Sequence, residues 1–230
     1  MVNPAVDSGN CVVLFVKAPT PGRVKTRLCP PLSHEQAAEL YQSFTKDTID
    51  RLNENPFHCL IAYDPNEEFP TPAWTGFDLP WFPQVGADLG ERLQHAFQTA
   101  FDREFSRILA LGTDSPGFGI DQISQAFDQL ASADVVMGPA LDGGYYLIGL
   151  AKPCPALFEH IAWSSPEVAR QTRERVKQHK LSLAEIASFH DVDTYLDLKN
   201  LHERFSDKKI GSSWKRTSTV LNRLFEGKDG

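Results

Sequence analysis

Four cations stand close together near the start of this sequence. The stretch KAPTPGRVKTRL, residues 17–28, carries Lys17, Arg23, Lys25 and Arg27. No Asp or Glu occurs between Ser8 and His34, so no acid nearby in sequence neutralises them. Two prolines and Gly22 keep this backbone out of regular structure. A stiff loop bearing several cations suits a diphosphate or triphosphate. The spacing is G-x-x-K-T, which is not the G-x-x-x-x-G-K-[ST] of a P-loop. The plainer alternative is a basic loop that does nothing but face water.

Carboxylates recur beyond this loop. Asp114 lies in LGTDSP, directly after the apolar run RILAL, and therefore just past a strand end. A carboxylate there can bind Mg²⁺ or Mn²⁺, which bridges phosphate oxygens. The alternative is a turn or cap aspartate ahead of Pro116. Asp142 precedes Gly143 and Gly144 in DGGYYLIGL. The two glycines let backbone approach a ligand, and Asp142 can accept hydrogen bonds from hydroxyls or act as a base. Asp-Gly-Gly is also an ordinary hairpin turn. In GADLGERL, residues 86–93, Asp88 suits the cap of a helix whose N-terminus attracts anions, with Arg92 one turn on.

The elements that position these residues follow from hydrophobic spacing. Residues 11–16 and 58–63 read as strands, and 34–53 as a helix with capping-box spacing at Ser33 and Gln36. Residues 64–87 read as an irregular loop containing a short strand. A helix is expected over 88–105, a strand over 107–112, a helix over 119–132, and strands over 134–138 and 145–150. A helix beginning at Pro166 runs to about Lys180, with a short strand over 187–192 and a helix over 194–205. This alternation argues for an α/β layered fold with a largely parallel sheet, whose ligands bind at the carboxyl ends of the strands. Residues 1–205 are expected to form the catalytic domain. Residues 206–230 shift in composition and read as a linker and an amphipathic helix, either docked or a homodimer contact.

Composition excludes several classes. The chain has 230 residues, 41% hydrophobic and 23% charged, with a formal charge of −7. That is ordinary globular composition and argues against a nucleic-acid partner. No run approaches the roughly 20 apolar residues of a membrane span. The N-terminus shows no secretory pattern, and the four cysteines form no C-x-x-C pair, so a reducing cytoplasmic location is expected. No G-x-S-x-G suggests a serine hydrolase.

The basic loop resembles the N-terminal signature of the GT-A-like nucleotidyltransferase and glycosyltransferase superfamily. It is similar to the loop of the guanylyltransferase of deazaflavin cofactor synthesis, with its lysine, K-[ST]-R-L run and following proline. Over residues 11–202 the chain most resembles a bacterial group of glycosyltransferases, once a domain of unknown function, some linked to radical-SAM or arsenosugar pathways. The resemblance implies a GT-A-like, Rossmann-like three-layer sandwich. It implies nucleotide binding by Lys17, Gly22, Arg23, Lys25, Arg27, Asp88 and Arg92, and sugar or acceptor binding by Asp142, Gly143 and Gly144. Asp114 matches a shortened D-x-D metal site, with Pro116 where a second aspartate stands. The run HDVDT, residues 190–194, resembles the D-[IV]-[DN]-T-x-x-D-L segment that closes the nucleotide site. Asp193 then supplies the second ligand to Mg²⁺ or Mn²⁺, with Asp191 its alternative. Trp163, in WSSPEV, is a core residue or a lid.

The implied activity is metal-dependent transfer from a nucleotide-activated donor. The leading version is glycosyl transfer, from a nucleoside diphosphate sugar to a small-molecule acceptor, with Asp114 and Asp142 as the catalytic carboxylates; nucleotidyl transfer is its alternative. The nucleotidyl version joins a nucleoside triphosphate to a phosphorylated small molecule and releases pyrophosphate. A non-catalytic nucleotide-binding domain is the third possibility.

Overall fold

Along the first strand, β1 (Asn10–Val16), every second side chain faces the same way. Val12, Leu14 and Val16 enter one apolar layer, while Cys11 and Val13 enter another. A strand apolar on both faces belongs inside a parallel sheet covered by helices on each side. The computed structural model, which describes residues 9–65 and 79–226, has that form.

The elements that follow are α1 (His34–Asn53), β2 (His58–Tyr63), β3 (Trp81–Pro83), α2 (Leu89–Phe101), β4 (Arg107–Leu111), α3 (Ile120–Gln129) and β5 (Val135–Pro139). After these come β6 (Tyr145–Leu150), α4 (Val168–Gln178), β7 (Leu183–Glu185), α5 (Tyr195–Phe205), α6 (Lys208–Gly211) and α7 (Lys215–Glu226). Seven strands form one sheet in the order β3-β2-β1-β4-β6-β5-β7. Among the described strands only β6 runs antiparallel, between β4 and β5. Side chains from α1, α3, α5 and α7 cover one face, and α2 and α4 cover the other. The expected α/β three-layer sandwich is what forms.

Some boundaries differ from those expected. The last strand lies at residues 183–185 rather than 187–192, where only a bridge between Ala140 and Phe189 remains. An edge strand needs just one buried face, so its apolar signal is weak. Helix α2 stops at Phe101, short of residue 105, because Glu104 takes a left-handed φ of 67°. Helix α4 begins at Val168, two residues after Pro166. Most of the loop expected over 64–87 lies outside the described residues.

Helix α1 does more than cover the sheet. The Tyr41 hydroxyl accepts from the Lys17 N–H at 2.9 Å and from the Thr113 hydroxyl at 3.0 Å. It thereby ties the chain leaving β1 to the chain leaving β4. Tyr41 is buried, and burial followed by the charge of Asp114 pushes its phenol up to about 12, so the group stays neutral. The other end of α1 anchors the C-terminal segment. Asp47, only 2% exposed, accepts from the Thr217 N–H at 2.8 Å and from the Arg216 N–H at 3.2 Å, capping α7. Trp214 packs beside it, 1% exposed and edge-on to Phe118. Trp214, Val220, Leu221 and Leu224 of the tail are thus buried within this chain, with Ile210 and Phe225 partly covered.

Two outcomes follow for stability. Tyr41→Phe leaves two donors without their acceptor and should cost about 1–3 kcal/mol in urea unfolding. Asp47→Ala removes the carboxylate that caps α7, while Asp50 still pairs with the Arg216 guanidinium, and should cost about 1–2 kcal/mol in the same measurement.

Candidate functional site

The sheet order creates a gap for a ligand. From β1 the chain first builds outward to β2 and β3, then returns to place β4 on the other side of β1. The loops leaving β1 and β4 therefore diverge at a topological switch point, the usual ligand crevice of an open α/β sheet. Parallel register sets Leu14 beside Leu111, so residues 17–28 and 112–117 start side by side. Because β6 is antiparallel, its leading residues 142–144 lie at this same edge.

The basic loop ends in a 3₁₀ turn at Thr26–Leu28, pinned by the fully buried Leu28. Lys25 precedes this turn in a left-handed conformation, φ 48° and ψ 35°. A non-glycine residue there carries strain that its surroundings must impose. Its side chain lies inward and is 3% exposed. Its Nζ lies 2.5 Å from Asp114 Oδ1 and 3.2 Å from Asp193 Oδ1. The Arg27 guanidinium, 70% exposed, reaches Asp193 Oδ2 at 3.2 Å. The side chains of Asp114 and Asp193 are 55% and 37% exposed, so both open toward the cleft.

Burial opposes the charge on Lys25, but the attraction of Asp114 and then Asp193 outweighs it and holds the ammonium above the ordinary lysine range. Partial desolvation by the surrounding protein likewise opposes ionisation of Asp114, and Lys25 outweighs it, so that carboxyl lies below its ordinary range. Lys17 adds to the same lowering, which places its charge within reach of Asp114.

Two local choices deliver Asp193 to this cluster. The Val192 N–H donates to the Asp114 carbonyl at 2.9 Å, laying residues 190–193 beside the β4 loop. Thr194 then takes the helix cap. Its hydroxyl accepts from the Asp197 N–H, and Asp197 Oδ2 accepts from the Thr194 N–H at 2.7 Å. With the cap filled by Thr194, the Asp193 carboxylate faces the cations.

Asp191 points elsewhere. It forms a short hydrogen bond with the Ser115 hydroxyl. Burial pushes its carboxyl up to about 6, with the charges of Asp114 and Asp142 adding to the effect. Asp142 is exposed at the tip of the β5–β6 hairpin and accepts from the Gly144 N–H at 2.9 Å, an Asx turn. Gly143, at φ 94°, is pressed against the Pro166 carbonyl, where an added Cβ would lie 2.1 Å away. The hairpin tip and the 163–166 segment therefore form one wall. Trp163 lies edge-on to Tyr145 and closes over Gly90, whose added Cβ would meet its indole nitrogen at 2.6 Å.

The remaining expected residues lie apart from the Lys25 cluster. Gly22 and Arg23 are exposed in a turn closed by the Arg23 N–H on the Thr20 carbonyl. Asp88 caps α2, accepting from the Glu91 N–H at 2.9 Å. Arg92 bonds Asp64 at 3.3 Å, Gln84 at 3.4 Å and the Gly86 carbonyl at 3.3 Å. That network braces the loop beyond β3 at the sheet's carboxyl edge. Sequence reasoning passed over Tyr41, Ser115 and Gln84. Tyr41 had a signal, since a phenol on the buried face of a helix requires partners. Gln84 and Ser115 had none, because their partners lie on other strands and loops.

Among the described residues no group of three or more His, Cys, Asp and Glu is gathered to hold a metal. The two carboxylates that converge on Lys25 are nonetheless a suitable donor set for Mg²⁺, which takes one or two carboxylates and completes its shell with water and phosphate oxygens.

Known proteins share this architecture. The 2-phospho-L-lactate guanylyltransferase of Methanothermobacter thermautotrophicus is 28% identical over 202 residues, 82% of each chain. A crystal structure from Desulfovibrio desulfuricans, of a protein provisionally named a nucleotide-diphospho-sugar transferase, superposes with a TM-score of 0.84. It is 33% identical and covers 94% of this chain and 98% of its own. The 4-diphosphocytidyl-2C-methyl-D-erythritol synthase of Anaerococcus prevotii superposes at 0.58 with 10% identity over 87% of this chain and 98% of its own, which establishes a shared fold. The family model described as "Uncharacterized protein conserved in bacteria (DUF2064)" matches residues 48–165. With half of its length under that family model and its cleft at the sheet's switch point, this chain belongs to the DUF2064 family.

Proposed function

We propose that this protein is a transferase acting on a nucleotide-activated donor, and that its reaction is nucleotidyl transfer. The observation that carries the reading is the lodging of Lys25. A 3%-exposed ammonium, with Arg27 beside it, stands at the switch-point crevice next to two cleft-facing carboxylates. That is the equipment for stabilising charge on a reacting phosphate rather than for anchoring a remote one.

In this reading the donor is a nucleoside triphosphate and the acceptor a phosphorylated small molecule. An acceptor phosphate oxygen attacks the α-phosphorus, the bond to the bridging oxygen breaks, and pyrophosphate leaves. Lys25 and Arg27 hold the phosphate oxygens, and Lys17 and Arg23 extend the positive surface along the outgoing pyrophosphate. Asp114 and Asp193 would hold Mg²⁺ or Mn²⁺, which would offset phosphate charge there. The α2 start, with Asp88, Arg92 and the braced Gly86 turn, borders the base and ribose. Asp142, Gly143 and Gly144 form the opposite lip, where Asp142 orients acceptor hydroxyls. Similarity to a named guanylyltransferase at 28% identity supports this version.

A second reading is glycosyl transfer from a nucleoside diphosphate sugar, with the same loop on the departing diphosphate and Asp142 at the sugar. The provisional name of the 33%-identical relative favours it. No helix among the described residues is long and apolar enough to cross a membrane.

Incubation with nucleoside triphosphates and nucleotide sugars, plus Mg²⁺ or Mn²⁺ and a panel of phosphorylated acceptors, separates the two. Pyrophosphate release is the expected result. Nucleoside diphosphate release instead would establish the glycosyl version. In calorimetry, Lys25→Ala combined with Arg27→Ala should weaken triphosphate binding by about 2–4 kcal/mol, with unchanged affinity removing this loop from the site.

A further inference from the structure

The position of Lys25 has a consequence for how a cation enters the site. Its Nζ lies within 2.5 Å of Asp114 and 3.2 Å of Asp193, between the two carboxylates that would hold a divalent ion. A Mg²⁺ ion held by both would need to lie about 2.0–2.1 Å from their oxygens, in nearly the same space as the ammonium. We infer that Lys25 closes the carboxylate pair to a lone divalent cation, so that the site accepts its metal only as the metal–nucleotide complex. The inference rests on the nucleotide reading above and deepens it by naming the true ligand.

Three features make the closure firm. The Lys25 side chain is 3% exposed and is held by a 3₁₀ turn whose next anchor, Leu28, is fully buried. It leaves the two carboxylates only when another anion offers its ammonium a partner. The charges of Lys25 and Arg27 already match those of Asp114 and Asp193 one for one. A lone divalent ion would therefore add two positive charges beside cations that these two carboxylates already balance. A nucleoside triphosphate changes both conditions. Its oxygens offer Lys25 and Arg27 new partners, and they supply the ligands that two carboxylates alone do not. Lys25 then passes from carboxylate to phosphate as the carboxylates take up the metal, and Lys17 and Arg23 of the same loop remain to offset phosphate charge.

Metal and nucleotide binding must then be strongly and reciprocally coupled. The test is a titration with Mn²⁺, read as the free aqueous Mn²⁺ signal in electron paramagnetic resonance, with and without guanosine triphosphate. Wild-type protein alone should leave Mn²⁺ free, and protein with triphosphate should remove more of the free signal than the same triphosphate without protein. Lys25→Met should bind Mn²⁺ without nucleotide at least about tenfold more tightly than wild type, within the usual range of such couplings. Lys25→Arg, which keeps the charge, should remain closed. Adding Asp114→Asn to Lys25→Met should abolish the gained site. Equal Mn²⁺ affinity in wild type and Lys25→Met, without nucleotide, overturns the inference. Should Lys25→Met not fold, as judged by circular dichroism, tight Mn²⁺ binding by nucleotide-free wild type overturns it alone. Calorimetry of triphosphate with wild type separates the two ideas. A Mn²⁺ site gained by Lys25→Met, without triphosphate binding to wild type, would refute the nucleotide reading and leave the Lys25 closure standing.

Discussion

The structure turns on one buried cation. Lys25 can be charged and almost fully covered only because Asp114 and Asp193 are brought to it. Each partner arrives by a separate route. Asp114 comes from the end of β4, the immediate neighbour of β1 in the sheet. Asp193 comes from the far end of the chain, held beside Asp114 by the bond from the Val192 N–H to its carbonyl. Three segments distant in sequence thus meet at a single charge. A buried charge stripped of a partner is costly, so the sheet order, the return of residues 190–193 and the left-handed turn at Lys25 sustain one another.

The helical layers serve this meeting. On one face Tyr41 fixes the exits of β1 and β4 together, so the basic loop and the Asp114 loop keep their spacing. The C-terminal helices lock α1 from behind through Asp47 and Trp214, which gives the tail a structural task at some distance from the cleft. On the other face Gly90 under Trp163 and Gly143 against Pro166 join the start of α2 to the β5–β6 hairpin. Neither glycine position has room for a side chain. The cleft therefore has a charged floor, a helix start on one side and a hairpin lip on the other, each with its own bracing.

Charge is distributed to match. The protein is acidic overall at −7, yet residues 17–28 gather four cations at the sheet's carboxyl edge. Asp114 and Asp193 offset two of them in the absence of a ligand. The proposed ligand, a compact multiply charged phosphate, would meet positive charge concentrated in this loop while the rest of the chain carries the net negative charge. Asp191 stands at the margin, half withdrawn from the cleft by Ser115 and by burial, which raises its carboxyl to about 6. That separates it from Asp193, only two residues away and turned toward the cations.

The sequence by itself determined the class of fold and the existence of the basic loop. Buried strands such as β1 and β2 and the capping box at Ser33 are local patterns, and local patterns are written in neighbouring residues. The loop cations were legible for the same reason, because no acid lies near them in the chain. The weak edge strand at residues 183–185 was not legible, since one buried face leaves little periodic signal. Tertiary structure alone decided what the loop cations meet. That Lys25 is buried while Arg27 stays in water, that Thr194 rather than Asp193 caps α5, and that Tyr41 binds two loops at once depend on contacts across 24 to 168 residues. Pairing at such separations is set by strand order and chain return, which no local spacing of residues encodes.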